Sequence, residues 1–184
     1  MESGLVERAR RGDHDAFARI ADEISDRLYA VARRILVDAS LAEDALQQAL
    51  LAIWQGLPEL HEASRFEAWA YRVLVRCCYR EANRARRWAA EVKSVATVDA
   101  ARSIELAETG FGDRDLVERG FRRLTPEHRA VLVLEYYVGL DTAEIARALA
   151  IPAGTVASRR HYALRTLRSA LDADARADLQ EAHG

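Results

Sequence analysis

Residues 141–171 read DTAEIARALAIPAGTVASRRHYALRTLRSAL, and the architecture turns on this stretch. Asp141 to Ala150 has the length and pattern of a short helix, Ile151-Pro152-Ala153-Gly154 is a tight break, and Thr155 to Leu171 is a longer helix rich in Arg. Short helix, turn, long helix is the helix-turn-helix arrangement: the first helix crosses the DNA backbone and the N-terminal residues of the second reach base edges in the major groove. Thr155, Ser158, Arg159 and, one turn later, Tyr162 fall on neighbouring faces of that second helix, while Val156, Ala163 and Leu167 are spaced to pack inward. Hydroxyls suit phosphate or base contact, and Arg159 carries the fork that bonds a guanine bidentately. A merely solvated face usually mixes signs. From Ile145 to Leu171 there are five Arg and no acid, which favours nucleic acid over an ordinary bundle surface.

Working outward, Thr125-Pro126-Glu127-His128 supplies an N-cap, a Pro at the first helical position and a good first turn for a helix carrying Val131, Leu134, Tyr137 and Val138 to a stop at Gly139. A helix through Leu116, Val117, Phe121 and Leu124 precedes it. Between Ala89 and Asp115 periodicity fades and Thr, Ser, Gly and acids collect, which reads as a connector. Before it, Phe17, Ile20, Ile24, Leu28, Val31 and Ile35 step by three or four along one long helix, with a break expected near Asp22. A second helix, with Ser40 as N-cap and Glu43 three residues on, runs through Leu46, Leu50, Ile53 and Leu57 to Pro58. A third starts near Ser64 or Phe66. The expected fold is all-α, two small helical domains joined by a flexible linker: residues 1–88, linker 89–115, residues 116–172, and an acidic, frayed tail 173–184. Three Pro and nine Gly in 184 residues leave little turn chemistry for a sheet protein.

The net charge of −2 hides a segregation. Asp13 to Glu62 holds ten acids and four Arg, whereas Arg65 to Trp88 holds seven Arg against Glu67 and Glu81. That second segment interleaves Arg72, Arg76, Arg80, Arg84, Arg86 and Arg87 with Trp69, Tyr71, Tyr79 and Trp88; Arg for phosphate and aromatics for stacking make a single-strand nucleic-acid surface. Trp69, spaced with Val73 and Cys77, fits the core better than the surface. On the Leu41 to Leu57 helix, Leu51 among Asp44, Gln47 and Gln48 is either a protein-binding strip or an ordinary exposed leucine.

No catalytic constellation is visible: the five His are scattered, and no phosphate loop or nucleophile elbow occurs. Cys77 and Cys78 are adjacent, a spacing that suits neither a structural disulfide nor a zinc site, so no metal or other cofactor is expected. Without an apolar run long enough to span a bilayer or a signal-like N-terminus, a cytoplasmic protein without direct membrane association is expected.

Three segments resemble one family. The stretch 42–54, AEDALQQALLAIW, resembles region 2.2 of extracytoplasmic-function sigma factors; 66–73, FEAWAYRV, resembles their region 2.3; and Glu144-Ile145-Ala146, Leu149, Ile151-Pro152, Gly154-Thr155-Val156 and Ser158-Arg159 resemble the helix-turn-helix of their region 4. The resemblance implies a first domain that grips the β′ clamp helices of RNA polymerase core and captures the melted minus-10 element, and a second that reads the minus-35 duplex and touches the β flap. By position it implies polymerase contacts at Asp44, Gln47, Gln48 and Leu51, single-strand contacts at Arg72, Arg76, Tyr79, Arg80 and Arg84, and duplex contacts at Thr155, Ser158, Arg159, Arg160 and Tyr162. An anti-sigma factor is an implied partner. The chain departs from the family at Gln48 (usually Glu), Arg76 (usually Asn), Ala150 (usually Gly) and Ala157 (usually Lys or Arg). Two other readings compete: a dimeric helix-turn-helix regulator that binds operator DNA without polymerase, and an adaptor that binds protein through the Leu41 to Leu57 strip.

Overall fold

The computed structural model describes residues 3–95 and 119–181, with side chains for 4–92 and 119–173. Helix α1 (Ser3–Arg10), which the sequence reading missed, lays Leu5, Val6 and Ala9 against α2 (His14–Leu36). Along α2, Ile20, Ile24, Leu28, Val31 and Ile35 are all buried, each worth roughly 1.5–3 kcal/mol of apolar transfer. The helix runs unbroken through Asp22, because its apolar stripe continues on both sides. Asp13 caps it by accepting the Ala16 N–H at 2.9 Å, and Arg8 clamps the same carboxylate from Nε and Nη2.

At Val37 the backbone turns left-handed (φ 65), so Asp38 is the first extended residue. Its carboxylate accepts from Leu41 N, making Asp38 rather than Ser40 the cap of α3 (Ala39–Gly56). The residues of α3 that face the core most directly are Ala42, Ala45, Ala49 and Ile53; Leu46 and Leu50, expected to be buried, are half-buried at its flanks. Small side chains on the inner stripe bring α3 close to its neighbours, and the leucines fill the edges of the seam. Trp54 closes one end against His14 and Phe17, with ring centroids 4.6 and 4.9 Å away.

After two short 3-10 turns, Leu57–Glu59 and Ala63–Arg65, α4 (Phe66–Val95) buries Phe66, Ala70, Leu74, Cys77, Cys78 and Glu81. Trp69 and Val73 are half-buried beside that stripe. The helix continues to Val95, seven residues into the stretch read as linker, since Ala89-Ala90-Glu91 are good helix formers. The rest of that stretch, and Leu116 and Val117, lie outside the described residues.

The second unit resumes with helical residues 119–122, followed by α5 (Pro126–Leu132) under the expected Thr125 cap. The chain then widens into a π segment, Val133–Val138, closed by Gly139 at φ 85, whose N–H bonds the Leu134 carbonyl. This buries Val133 and Leu134 and leaves Tyr136 and Tyr137 outside. Helices α6 (Thr142–Leu149) and α7 (Ala153–Glu181) complete it. Helix α7 reaches Glu181, so the tail expected to fray is helical through that residue; its alternating Ala and polar residues favour helix. Ala130, Val131, Val133, Leu134, Ile145 and Val156 join the core of α2–α4 in one continuous cluster, and Leu124, Leu132 and Ala163 form a smaller one.

Candidate nucleic-acid and polymerase interfaces

The helix-turn-helix is set by its caps. Asp141 accepts the Glu144 N–H at 2.7 Å while Glu144 accepts the Asp141 N–H at 2.8 Å, a reciprocal capping box that fixes the start of α6. Ala150 ends α6 in the left-handed region (φ 55), and Ile151 N donates back to the Ala146 carbonyl, which aims the chain into α7. On α7, Ser158 and Tyr162 are exposed and Thr155 and Arg159 half-exposed on one face, while Val156 and Ala163 are buried opposite. The Tyr162 ring stacks on His128 at 5.2 Å and carries the Arg165 guanidinium over it at 4.9 Å, so its orientation is fixed from two sides. Arg160 points elsewhere. Its side chain bonds Glu135 at 2.8 Å on the inward side of α7, and this pairing raises its pKa.

On α4 the four arginines and the tyrosine expected to hold a strand have different fates. Arg76 is exposed. Arg72 donates from Nε (3.1 Å) and Nη2 (2.6 Å) to the carbonyl of Arg147, in the last turn of α6, where a cation complements the helix dipole. Tyr79 is half-buried, and its hydroxyl is sealed from solvent without a hydrogen-bond partner. Burial pushes its pKa up, with Arg159 of the recognition helix and Glu127 acting on it electrostatically in opposite directions. Arg80 donates to Gln48 Oε1 at 3.3 Å and to Cys77 Sγ at 3.2 Å. Arg84 pairs with Asp44 at 3.1 Å and with Glu81 at 2.9 Å.

The four residues expected to face polymerase share one side of α3. Leu51 is 57% exposed and Gln47 exposed, whereas Asp44 and Gln48 are half-buried against α4. Gln48 Nε2 donates to Glu81 Oε1 at 2.6 Å. The α3 strip and the α4 arginines are thus one contiguous surface.

Sequence reasoning missed Glu81, 2% exposed in the middle of a basic helix. Its signal was its place on the apolar stripe, three residues after Cys78 and seven after Leu74. Glu135 was missed for the same reason. Burial raises the pKa of both Cys77 and Cys78, which leaves the thiols protonated and poorly nucleophilic. Among the described residues, no group of three or more His, Cys, Asp or Glu is placed to hold a metal ion.

Residues 20–88 match the Sigma-70 region 2 family and residues 120–169 the Sigma-70 region 4 family. The ECF RNA polymerase sigma factor SigL of Mycobacterium tuberculosis (strain ATCC 25618 / H37Rv) is 36% identical over 155 residues, 82% of this chain and 85% of SigL. The chain belongs to the extracytoplasmic-function sigma factors. SigK of Mycobacterium ulcerans (strain Agy99) is 31% identical over 178 residues, covering 93% of this chain and 94% of SigK. SigW of Bacillus subtilis (strain 168) is 28% identical over 183 residues, covering 90% and 94%. Among solved structures, CnrH in complex with the cytosolic domain of CnrY has the same fold, with a TM-score of 0.64 and 23% identity over 94% of this chain and 97% of that one. As a sigma factor, the protein directs core RNA polymerase to promoters and takes part in strand opening; core enzyme and promoter DNA are its partners. The relatives are sigma factors along both domains, which decides against the dimeric operator-binding regulator. Among the described residues no helix is long and apolar enough to cross a membrane.

Proposed function

We propose that the work of the sigma factor divides between two domains, residues 1–88 and 116–172, connected by residues 89–115. In the first, Asp44, Gln47, Gln48 and Leu51 dock on the β′ clamp helices, and Arg72, Arg76, Tyr79, Arg80 and Arg84 hold the melted minus-10 strand. In the second, Thr155, Ser158, Arg159 and Tyr162 read the minus-35 duplex beside the β flap, and Arg160 supports the helix from behind through Glu135. The observation that carries this reading is the exposed N-terminal face of α7, where hydroxyls, a guanidinium and an aromatic converge beside a helix-turn-helix break.

The protein acts in the cytoplasm, without a cofactor and without catalysis of its own. CnrH was solved with the cytosolic domain of CnrY, and RpoE of Bartonella quintana, 22% identical with a TM-score of 0.64, with the anti-sigma factor NepR. By extension an anti-sigma factor is a partner of this chain as well. Run-off transcription with purified core polymerase and a promoter library tests the reading. Transcripts with defined starts that appear only when the protein is added are expected; no transcripts and no core binding would overturn it.

A further inference from the structure

Four of the residues assigned above to polymerase or to the minus-10 strand are linked, two directly and two through those, to a fifth that is assigned to neither partner. Glu81 lies on the buried stripe of α4, 2% exposed. One of its oxygens accepts from Gln48 Nε2 at 2.6 Å, and the other lies 2.9 Å from Arg84 Nη2. Arg84 Nη2 also reaches Asp44 Oδ2 at 3.1 Å, and Gln48 Oε1 accepts from Arg80 Nη2 at 3.3 Å. The chain Asp44, Arg84, Glu81, Gln48, Arg80 therefore crosses three times between α3, the proposed polymerase strip, and α4, the proposed strand-holding helix. Glu81 Oε1 takes up the Gln48 amide, whereas the buried Oε2 has no donor in hydrogen-bond geometry and is compensated by the charge of Arg84 alone, so the carboxylate depends on both partners staying where they are.

We propose that Glu81 is a positioning residue that couples polymerase docking to capture of the minus-10 strand. In the free factor, Arg84 is shared between Glu81 and Asp44. A donor from polymerase that claims Asp44 removes one of the two acids holding Arg84 and turns its guanidinium toward phosphate, while Glu81 keeps Gln48 and Arg80 in register. The same geometry accounts for Gln48. A Glu at that position would set a second carboxylate against Glu81 at hydrogen-bond distance; this chain carries the charge on α4 and the amide on α3.

The proposal rests on the assignment of Asp44 to polymerase and Arg84 to the strand, and its test separates the two. Core affinity is measured by fluorescence titration, strand opening in the holoenzyme by a fluorescent base analogue in the minus-10 element, and folding by circular dichroism. Asp44→Ala is expected to weaken core binding chiefly, and Arg84→Ala strand opening chiefly. Glu81→Gln, although buried, is expected to reduce both by about fivefold or more, and Gln48→Glu to weaken core binding by about tenfold through like-charge contact. The exchanged pair Gln48→Glu with Glu81→Gln restores both readouts to within about twofold, which a purely packing role does not predict. If Glu81→Gln shifts only the melting temperature, or if the exchanged pair is no better than Gln48→Glu alone, the coupling is overturned and the surface assignments stand. If Asp44→Ala and Arg84→Ala move neither readout, the assignments fall and the coupling with them. Where Glu81→Gln does not fold, the exchanged pair compared with Gln48→Glu decides alone.

Discussion

Ala150 sits at φ 55, ψ 45, a left-handed position that costs an L side chain roughly 1–2 kcal/mol. It is exposed, so removing its methyl group uncovers little apolar surface. Ala150→Gly is therefore expected to stabilise the protein by about 0.5–1 kcal/mol. Urea unfolding checks this: the midpoint rises with the slope unchanged. His128, under the Tyr162 ring, is a second residue whose environment has a measurable sign. Burial lowers its pKa below the ordinary 6.5; Glu127 pulls it back up and Arg159 adds to the fall. The folded state thus resists protonation more than the unfolded chain does, so stability is full above about pH 6.5 and declines as pH falls through the folded value. Between pH 7.5 and 5.5 the wild type should lose more in melting temperature than His128→Gln; equal losses would contradict the placement.

At the scale of elements, the start of α3 distinguishes two caps. Asp38 accepts from Leu41 N, whereas Ser40 is already inside the first turn. Asp38→Ala should cost about 1 kcal/mol and Ser40→Ala close to nothing, measured by thermal melts. This correction shows what the sequence could and could not reveal. The stripe of α2, the Thr125 cap and the helix-turn-helix were legible because they depend on residues three or four apart. The outward placing of Ser158 and Tyr162 on α7, with Val156 and Ala163 buried opposite, followed from the same periodicity. Ser40 and Asp38 are both good caps, and only the left-handed turn at Val37 chooses between them. The π segment came from no local signal, since Val133 to Val138 has an ordinary helical composition. Glu81 and the pairing of Arg160 with Glu135 were missed because the partners concerned, Gln48 and Glu135, are 33 and 25 residues away. In sequence a charged residue looks solvated until its partner is known.

For the whole molecule, the two DNA-reading domains face each other. Arg72 binds the Arg147 carbonyl, Arg34 lies 3.8 Å above the Tyr137 ring, and Tyr79 is within electrostatic reach of Arg159. Elements named minus-10 and minus-35 are about 25 base pairs apart, or ~80 Å of duplex at 3.4 Å per step. Residues in mutual contact cannot occupy both, so the proposed assignment of the two elements predicts that the domains separate when the holoenzyme binds a promoter. The cation–π contact is worth about 0.5–1 kcal/mol and the charged hydrogen bonds about 1.5–3. Because the two units also share an apolar core cluster, the wild type should be closed in solution scattering and Arg34→Ala with Arg72→Ala should at most shift it towards a larger radius of gyration; an extended wild type would contradict the closed arrangement. The central claim, that this sigma factor reads its upstream element through the face of α7 and its downstream element through α4, is tested most directly by run-off selection from a randomised promoter library. Holoenzymes carrying wild type, Arg159→Ala or Arg76→Ala would be compared. Arg159→Ala should relax base preference in the minus-35 element alone, by about 1–3 kcal/mol at one position, and Arg76→Ala in the minus-10 element alone. Preferences that shift in the opposite elements, or in neither, would contradict the assignment.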